Sequence, residues 1–380
     1  MPKATLSKRI KTWTLRDIHH DDRVLLRIDA NVPMRGGRIS SHGLHRLRAN
    51  VAEIERLRIR GARIVLIAHL GEPNGKKMKA LSLAPIARAF TRILKTTVRF
   101  VPHLPGEDAI RVIERMAPGA IVLLENLRFS AGEATNDSAF AKQIAMCGDV
   151  FVNNAFGVCH RKHASIVAVT KYLPSFAGEL VVREVHALSI LPKKPFVLVI
   201  GGGKIGTKIP LIERFGKKAD EILIGGGASL TMLAASMGKL LVQAPRFTQP
   251  TDVKEARHIA EKFGKKIYLP CDLVLSTNAI PDIGPETVKC FVRAIKMAKM
   301  IIWNGPLGIT ERKDGFSGTL AIARAIAKNT KAISIVGGGE TVECLEEFGL
   351  TNSFTHVSTG GGAMLAYLGG EALPGLEVFE

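Results

Sequence analysis

Short apolar runs, rich in Val, Ile and Leu, recur along the chain, and polar residues follow each of them. In the first half they are VLLRI from Val24, RIVLIA from Arg63, AIVLLE from Ala120 and DVFVNN from Asp149. These runs do not alternate with polar residues, which marks strands buried on both faces, as in a parallel sheet. Helical patterns lie between them. Leu44, Leu47, Val51, Ile54 and Leu57, spaced by three and four, predict one helix with an apolar stripe. Alternating strands and helices predict a parallel sheet covered on both sides.

The second half repeats the alternation. Its runs end at Gly201, at Gly225, at Asp272 within IYLPCD, at Asn304 within MIIWNGP, at Gly337 within ISIVGGGET and at Thr359 within VSTGGG. Between the halves, Gly178 to Leu191 is helix-like, with Leu180, Leu188 and Leu191 apolar and Pro192 and Pro195 closing it. The boundary between halves is expected there.

Ligands of open parallel sheets bind at the carboxyl ends of the strands. Polar residues stand at four such ends: Asp29, Asn31 and Pro33; His69 and Gly71; Glu125 and Arg128; and Gly157, His160 and Arg161. One such end would be a turn or cap. Four of them, with arginines included, point to a carboxylate or phosphate, which guanidinium binds in bidentate fashion.

In PFVLVIGGGKIGTKI, residues 195–209, an apolar run enters three glycines, and Lys204 and Lys208 follow four positions apart. Glycines let backbone N–H groups approach an anion, and a helix starting near Lys204 would aim its positive end at the same place. The alternative is a tight turn with solvated lysines. Walker A is excluded because Thr207 separates Gly206 from Lys208. Gly201, Gly203 and Gly206 satisfy GxGxxG, but the next strand ends in Gly225–Gly227 and not in the acid that a nicotinamide dinucleotide site requires. Four glycine triplets after four apolar runs suggest several backbone edges opened toward one ligand.

Composition narrows the classes. At 380 residues, 46% hydrophobic and 23% charged, the chain is long enough for two or three globular domains. No apolar run approaches the roughly 18 residues of a spanning helix. The basic start, MPKATLSKRIKTW, lacks the apolar segment of a secretory signal. The five cysteines are scattered, without a CxxC pair, so reduced thiols and a cytoplasmic location are expected. The net charge is +19, and residues 1–190 hold 30 Lys and Arg against 16 Asp and Glu. Aromatics are only 6% and no nucleic-acid motif is present, so small anionic substrates, not nucleic acid or membrane, are the expected partners.

Taken in order, RIDANVP, AHLGEPNG, LLENLRF, FVNNAFGVCHR, GGGKIGTK, WNGPLG, IVGGGET and VSTGGGA are each similar to signature stretches of the phosphoglycerate kinase family, over nearly the full chain. The resemblance implies an α/β fold of two doubly wound parallel-sheet (Rossmann-like) domains separated by a cleft. They would be 1–178 for phosphoglycerate and 195–365 for nucleotide, joined by a hinge helix over 179–194, with a tail from about 366 returning to the first. It implies reversible transfer of the acyl phosphate of 1,3-bisphosphoglycerate to ADP, with Mg²⁺ accompanying ATP or ADP. A monomer is expected.

By position in these motifs, Asp29, Asn31, His69, Arg128 and Arg161 resemble the phosphoglycerate contacts, and Arg46 the arginine reaching the transferring group. Lys204 and Lys208 resemble the phosphate lysines, Asn304 a residue near the phosphates and Glu311 the ribose ligand. Gly338, Gly339, Glu340 and Thr341 resemble the phosphate loop, with Glu340 the metal ligand.

The chain departs from the family pattern at several places. It is about two residues longer between Pro33 and Arg46, and Glu340, Thr207 and Asn154 each replace an aspartate or another acid. Glu72 stands where the family has an arginine. Two readings of Glu72 stand: repulsion of a phosphorylated substrate, which would favour another acyl phosphate and which Lys76, Lys77 and Lys79 could offset, or simple exposure to solvent.

Overall fold

The computed structural model describes residues 10–35, 38–237, 250–274, 282–308 and 316–380. The chain divides into two compact units, Met1–Ser189 with Ala372–Glu380, and Ile190–Glu371.

In the first unit, six strands form one sheet: β1 (Arg23–Arg27), β2 (Arg63–Ile67), β3 (Val98–Val101), β4 (Ile121–Leu124), β5 (Val150–Asn153) and β6 (Ser175–Ala177). Their spatial order is β3-β4-β2-β1-β5-β6, with every pairing parallel. Val24, Leu25 and Leu26 are all fully buried, as strands covered on both faces require. Leu26, Leu66, Leu123 and Val152 pack with Ile54, Leu57 and Phe90 from the covering helices. The chain moves to one side of β1 through β2 and to the other through β5, so the sheet's switch point lies at the end of β1.

The second unit repeats the plan with β7 (Phe196–Ile200), β8 (Glu221–Ile224), β9 (Ile267–Tyr268), β10 (Met300–Asn304), β11 (Ile333–Gly337) and β12 (His356–Val357). Their order is β9-β8-β7-β10-β11-β12, again all parallel. Its switch point is at the ends of β7 and β10. Val199, Trp303 and Val336 meet Phe291 and Ile322 in the core.

Four details differ from the sequence expectations. The stripe from Leu44 to Leu57 is two helices, Ser41–Arg48 and Val51–Ile59. The break is at Asn50, whose buried Nδ2 donates to Arg46 O at 3.1 Å and whose Oδ1 accepts from Asn154 Nδ2 at 3.0 Å. Side-chain bonds of this kind compete with helical ones.

The helix expected to bridge 179–194 is Glu179–Leu188 and belongs to the first unit. Its first amides donate to Glu53 Oε2 and Asn154 Oδ1, at 2.8 and 2.9 Å, so Asn154 works as a cap.

The returning tail starts at Ala372, not near 366. Helix Gly362–Gly369 stays in the second unit, where Tyr367 O accepts from Arg214 Nη1 at 3.3 Å.

Finally, no helix starts at Lys204. Gly206–Lys208 form a 3-10 turn, and the α-helix begins at Ile209 with Pro210 in its first turn. Ile205, fully buried, already has helical φ and ψ of -73° and -34°, but the α-helical bonds begin only at Ile209.

Candidate active site

In the first unit, five of the six predicted residues, all but His69, are joined by hydrogen bonds and ion pairs into one connected chain. Asp29, buried just past β1, accepts from Asn31 N at 3.0 Å, and its Oδ2 lies 3.5 Å from Arg46 Nη1. Arg46 Nη1 also donates to Asn31 O at 2.8 Å. Asn31 Oδ1 accepts from Gly71 N at 2.9 Å, and Gly71 O accepts from Arg128 Nη1 at 2.7 Å. Glu72 Oε1 then lies 2.6 Å from Arg128 Nη1 and 3.2 Å from Arg161 Nη1. Glu72 is exposed, yet its carboxylate is paired with two guanidiniums, so it is itself an anion on Arg128 and Arg161.

Arg128 is 4% exposed, and its Nε and Nη2 have no partner among the described residues. Its position is set by Asn126, whose Oδ1 accepts from Arg128 N and whose Nδ2 donates to Leu70 O and Leu81 O. Glu125 is structural: it accepts from Ser82 Oγ and from Leu83 N, where helix Ala84–Leu94 starts. The tail holds the loop before Arg161, since Gly375 N donates to Cys159 O at 2.9 Å. A Cβ on Gly375 would lie 2.8 Å from Cys159 Cα.

His69 is buried, and its Nδ1 faces Arg27 Nη2 at 2.9 Å. Burial, followed by the charges of Arg27 and Arg128, holds it well below the usual histidine range. An arginine cannot accept, so Nδ1 accepts and the proton of the neutral ring sits on Nε2. Sequence reasoning missed the layer beneath. Arg27 Nε donates to Ser165 Oγ at 2.9 Å, and Ser165 Oγ donates to the fully buried Glu133 at 2.6 Å. The available signal was one arginine inside the apolar run of β1.

In the second unit, the exits of β7, β8, β10 and β11 meet as backbone. Gly201 N donates to Asn304 O at 2.9 Å and Gly202 N to Pro306 O at 2.7 Å. A Cβ on Gly201 would lie 2.1 Å from Pro306 O, and one on Gly227 would lie 2.7 Å from Gly203 O, so glycine is needed for these crossings. Asn304 Nδ2 donates to Gly337 O at 3.0 Å, while its buried Oδ1 has no partner among the described residues. The buried Thr341 Oγ1 accepts from Gly305 N at 3.0 Å, joining the end of β10 to the loop after β11.

That loop turns at Gly338, with φ of +105°, into helix Gly339–Glu347, whose exposed start holds Gly339 and Glu340. Gly339 has open space where a side chain would be. Lys204 is exposed and Lys208 half-buried. Burial pushes Lys208 down to about 8, partly offset by the charge of Glu340. Glu311 lies outside the described residues.

All five cysteines are free, and burial pushes the Cys159 thiol up to about 12. Among the described residues no helix is long and apolar enough to cross a membrane. Nor do three or more His, Cys, Asp or Glu side chains gather there as a metal site.

A family model described as phosphoglycerate kinase matches residues 15–371. The phosphoglycerate kinase of Moorella thermoacetica is 40% identical over 389 residues, covering 96% of this chain and 98% of that one. That of Thermus thermophilus (strain ATCC BAA-163) is 41% identical over 384 residues, covering 94% and 97%. Among solved structures, the phosphoglycerate kinase of Pyrococcus horikoshii OT3 has a TM-score of 0.87 at 30% identity, and that of Coxiella burnetii 0.79 at 34%. Each covers 97% of this chain and 98% of the other.

Proposed function

The chain belongs to the phosphoglycerate kinase family, and we propose that it transfers the acyl phosphate of 1,3-bisphosphoglycerate to ADP, reversibly, giving 3-phosphoglycerate and ATP. In this reading Asp29, Asn31, His69, Arg128 and Arg161 hold phosphoglycerate, and Arg46 reaches the transferring group. His69, with its proton on Nε2, donates to substrate oxygen and takes no proton from it.

The second unit takes the nucleotide. Lys204 and Lys208 meet its phosphates, Asn304 and the Gly338–Thr341 loop lie beside them, and Glu311 takes the ribose. Mg²⁺ relies on one or two carboxylates with phosphates and water. The exposed Glu340, near Lys208, fits an ion delivered with the nucleotide better than a resident one. Such an ion supplies charge neutralisation at the phosphate oxygens.

No catalytic base is needed. The carboxylate of 3-phosphoglycerate is already ionised and attacks directly, so the protein's contribution is positioning and electrostatic stabilisation. Arg46, Lys204 and Lys208 stabilise charge on the three oxygens of the migrating group. The two substrates must meet, so the reading includes closure of the units around them, with water excluded from the acyl phosphate. A cytoplasmic location follows from the same reading.

The observation that supports it best is the connected set of Arg46, Arg128 and Arg161, with Arg128 buried and short of acceptors. Calorimetry with 3-phosphoglycerate and, separately, MgADP tests it. Hydrogen bonds to charged groups are worth about 1.5–3 kcal/mol, so Arg128→Ala should weaken 3-phosphoglycerate binding by roughly 10- to 100-fold. MgADP binding should not change. Equal loss of both, or of neither, contradicts the assignment.

A further inference from the structure

Arg128 and Arg161 already share an anion, and the chain itself supplies it. One oxygen of Glu72 reaches both guanidiniums, at 2.6 and 3.2 Å. The three partners differ in exposure. Arg128 is 4% exposed and anchored to Gly71 O, whereas Arg161 is 41% and Glu72 60% exposed. Glu72 also follows Gly71, which has φ of +63°. A carboxylate this exposed loses little by turning to water, while the buried guanidinium it leaves needs a replacement.

We propose that Glu72 is an internal competitor for the phosphate of the phospho-acid: it occupies Arg128 and Arg161 in the ligand-free protein and swings out when substrate phosphate arrives. This rests on the function proposed above. It adds a specificity rule that the two arginines alone would not impose. A phosphate dianion outcompetes one tethered carboxylate, whereas a carboxylate monoanion does not, so non-phosphorylated acids are refused. Glu72 also stops adventitious anions from settling on Arg128.

The test is calorimetry of the full chain, wild type against Glu72→Gln, with 3-phosphoglycerate and with inorganic phosphate as separate titrants, alongside steady-state kinetics. Two ion pairs to a half-exposed carboxylate compete by about tenfold. Both titrants should therefore bind about tenfold tighter to Glu72→Gln, and the KM for 3-phosphoglycerate should fall to match. The KM for MgATP should stay where it was. Unchanged or weaker binding of both titrants overturns the competitor, whatever the turnover. If wild type shows no turnover yet phosphate binding still tightens in Glu72→Gln, the kinase reading fails and the competitor stands.

Discussion

Glu133→Gln removes the charge that balances Arg27, the buried arginine against His69. Arg27 is fully buried, and among the described residues its nitrogens reach neutral acceptors, Ser165 Oγ, Ile28 O and His69 Nδ1. Its counter-charge is one hydroxyl away. Ser165 Oγ and Ser165 N donate to the two oxygens of Glu133, at 2.6 and 3.0 Å, and Glu133 is itself fully buried.

Removing one member of a buried ion pair costs about 3–5 kcal/mol. The intervening hydroxyl places this case at the lower end, about 3 kcal/mol. With a urea m-value of about 2 kcal/mol/M, the midpoint for the first unit should drop by about 1.5 M. The chain has two tryptophans, Trp13 in the first unit and Trp303 in the second, both buried. Fluorescence of Glu133→Gln in a Trp303→Phe background therefore reports the first unit alone. A loss below about 1 kcal/mol would refute the balancing role.

Three further outcomes are expected. Lys208, held down to about 8, is cationic below that pH and neutral above it, so kcat/KM for nucleotide should fall as pH rises through about 8. In Lys208→Arg the fall should vanish, and a wild-type profile flat to high pH contradicts the role.

Gly201→Ala and Gly339→Ala should separate packing from binding. The first drives a Cβ to 2.1 Å from Pro306 O and should cost about 3 kcal/mol in denaturant unfolding, whereas the second enters open space and should leave stability unharmed while weakening nucleotide binding. If both behave alike, the backbone cradle is misassigned.

His163, buried beside Arg128 and Arg27, is held down to about 4, so the unfolded chain takes a proton that the folded one refuses. Stability should fall as pH drops from about 6.5 to about 4, by up to ~3 kcal/mol, and less in His163→Gln.

The sheets were legible because strands buried on both faces are continuous apolar runs, and β1, β2, β4, β5, β7, β10 and β11 all follow that rule. That polar residues after these strands would gather at one end of the sheet was legible for the same reason, since strand carboxyl ends lie together on one side of an open parallel sheet. What sequence spacing could not show depended on distant partners. The helix break at Asn50 is decided with Asn154, 104 positions away. Lys204 and Lys208 had helical spacing, yet the stretch between them ends in a 3-10 turn and the α-helix begins only at Ile209, with Pro210 in its first turn. Arg27 was hidden inside an apolar run, with its balancing carboxylate more than 100 residues downstream. Glu72 was visible as a reversed charge, but its two arginine partners come from other loops.

The central claim is that guanidinium groups of the first unit and ammonium groups of the second stabilise one migrating phosphoryl group. The most direct measurement is the rate of 1,3-bisphosphoglycerate formation from 3-phosphoglycerate and MgATP, in wild type, Arg46→Ala and Lys208→Ala. Removing one such electrostatic donor costs about 10²–10³ in kcat. The account predicts turnover in wild type and losses of that order in each variant. Background turnover in all three proteins, or variants as fast as wild type, would contradict it.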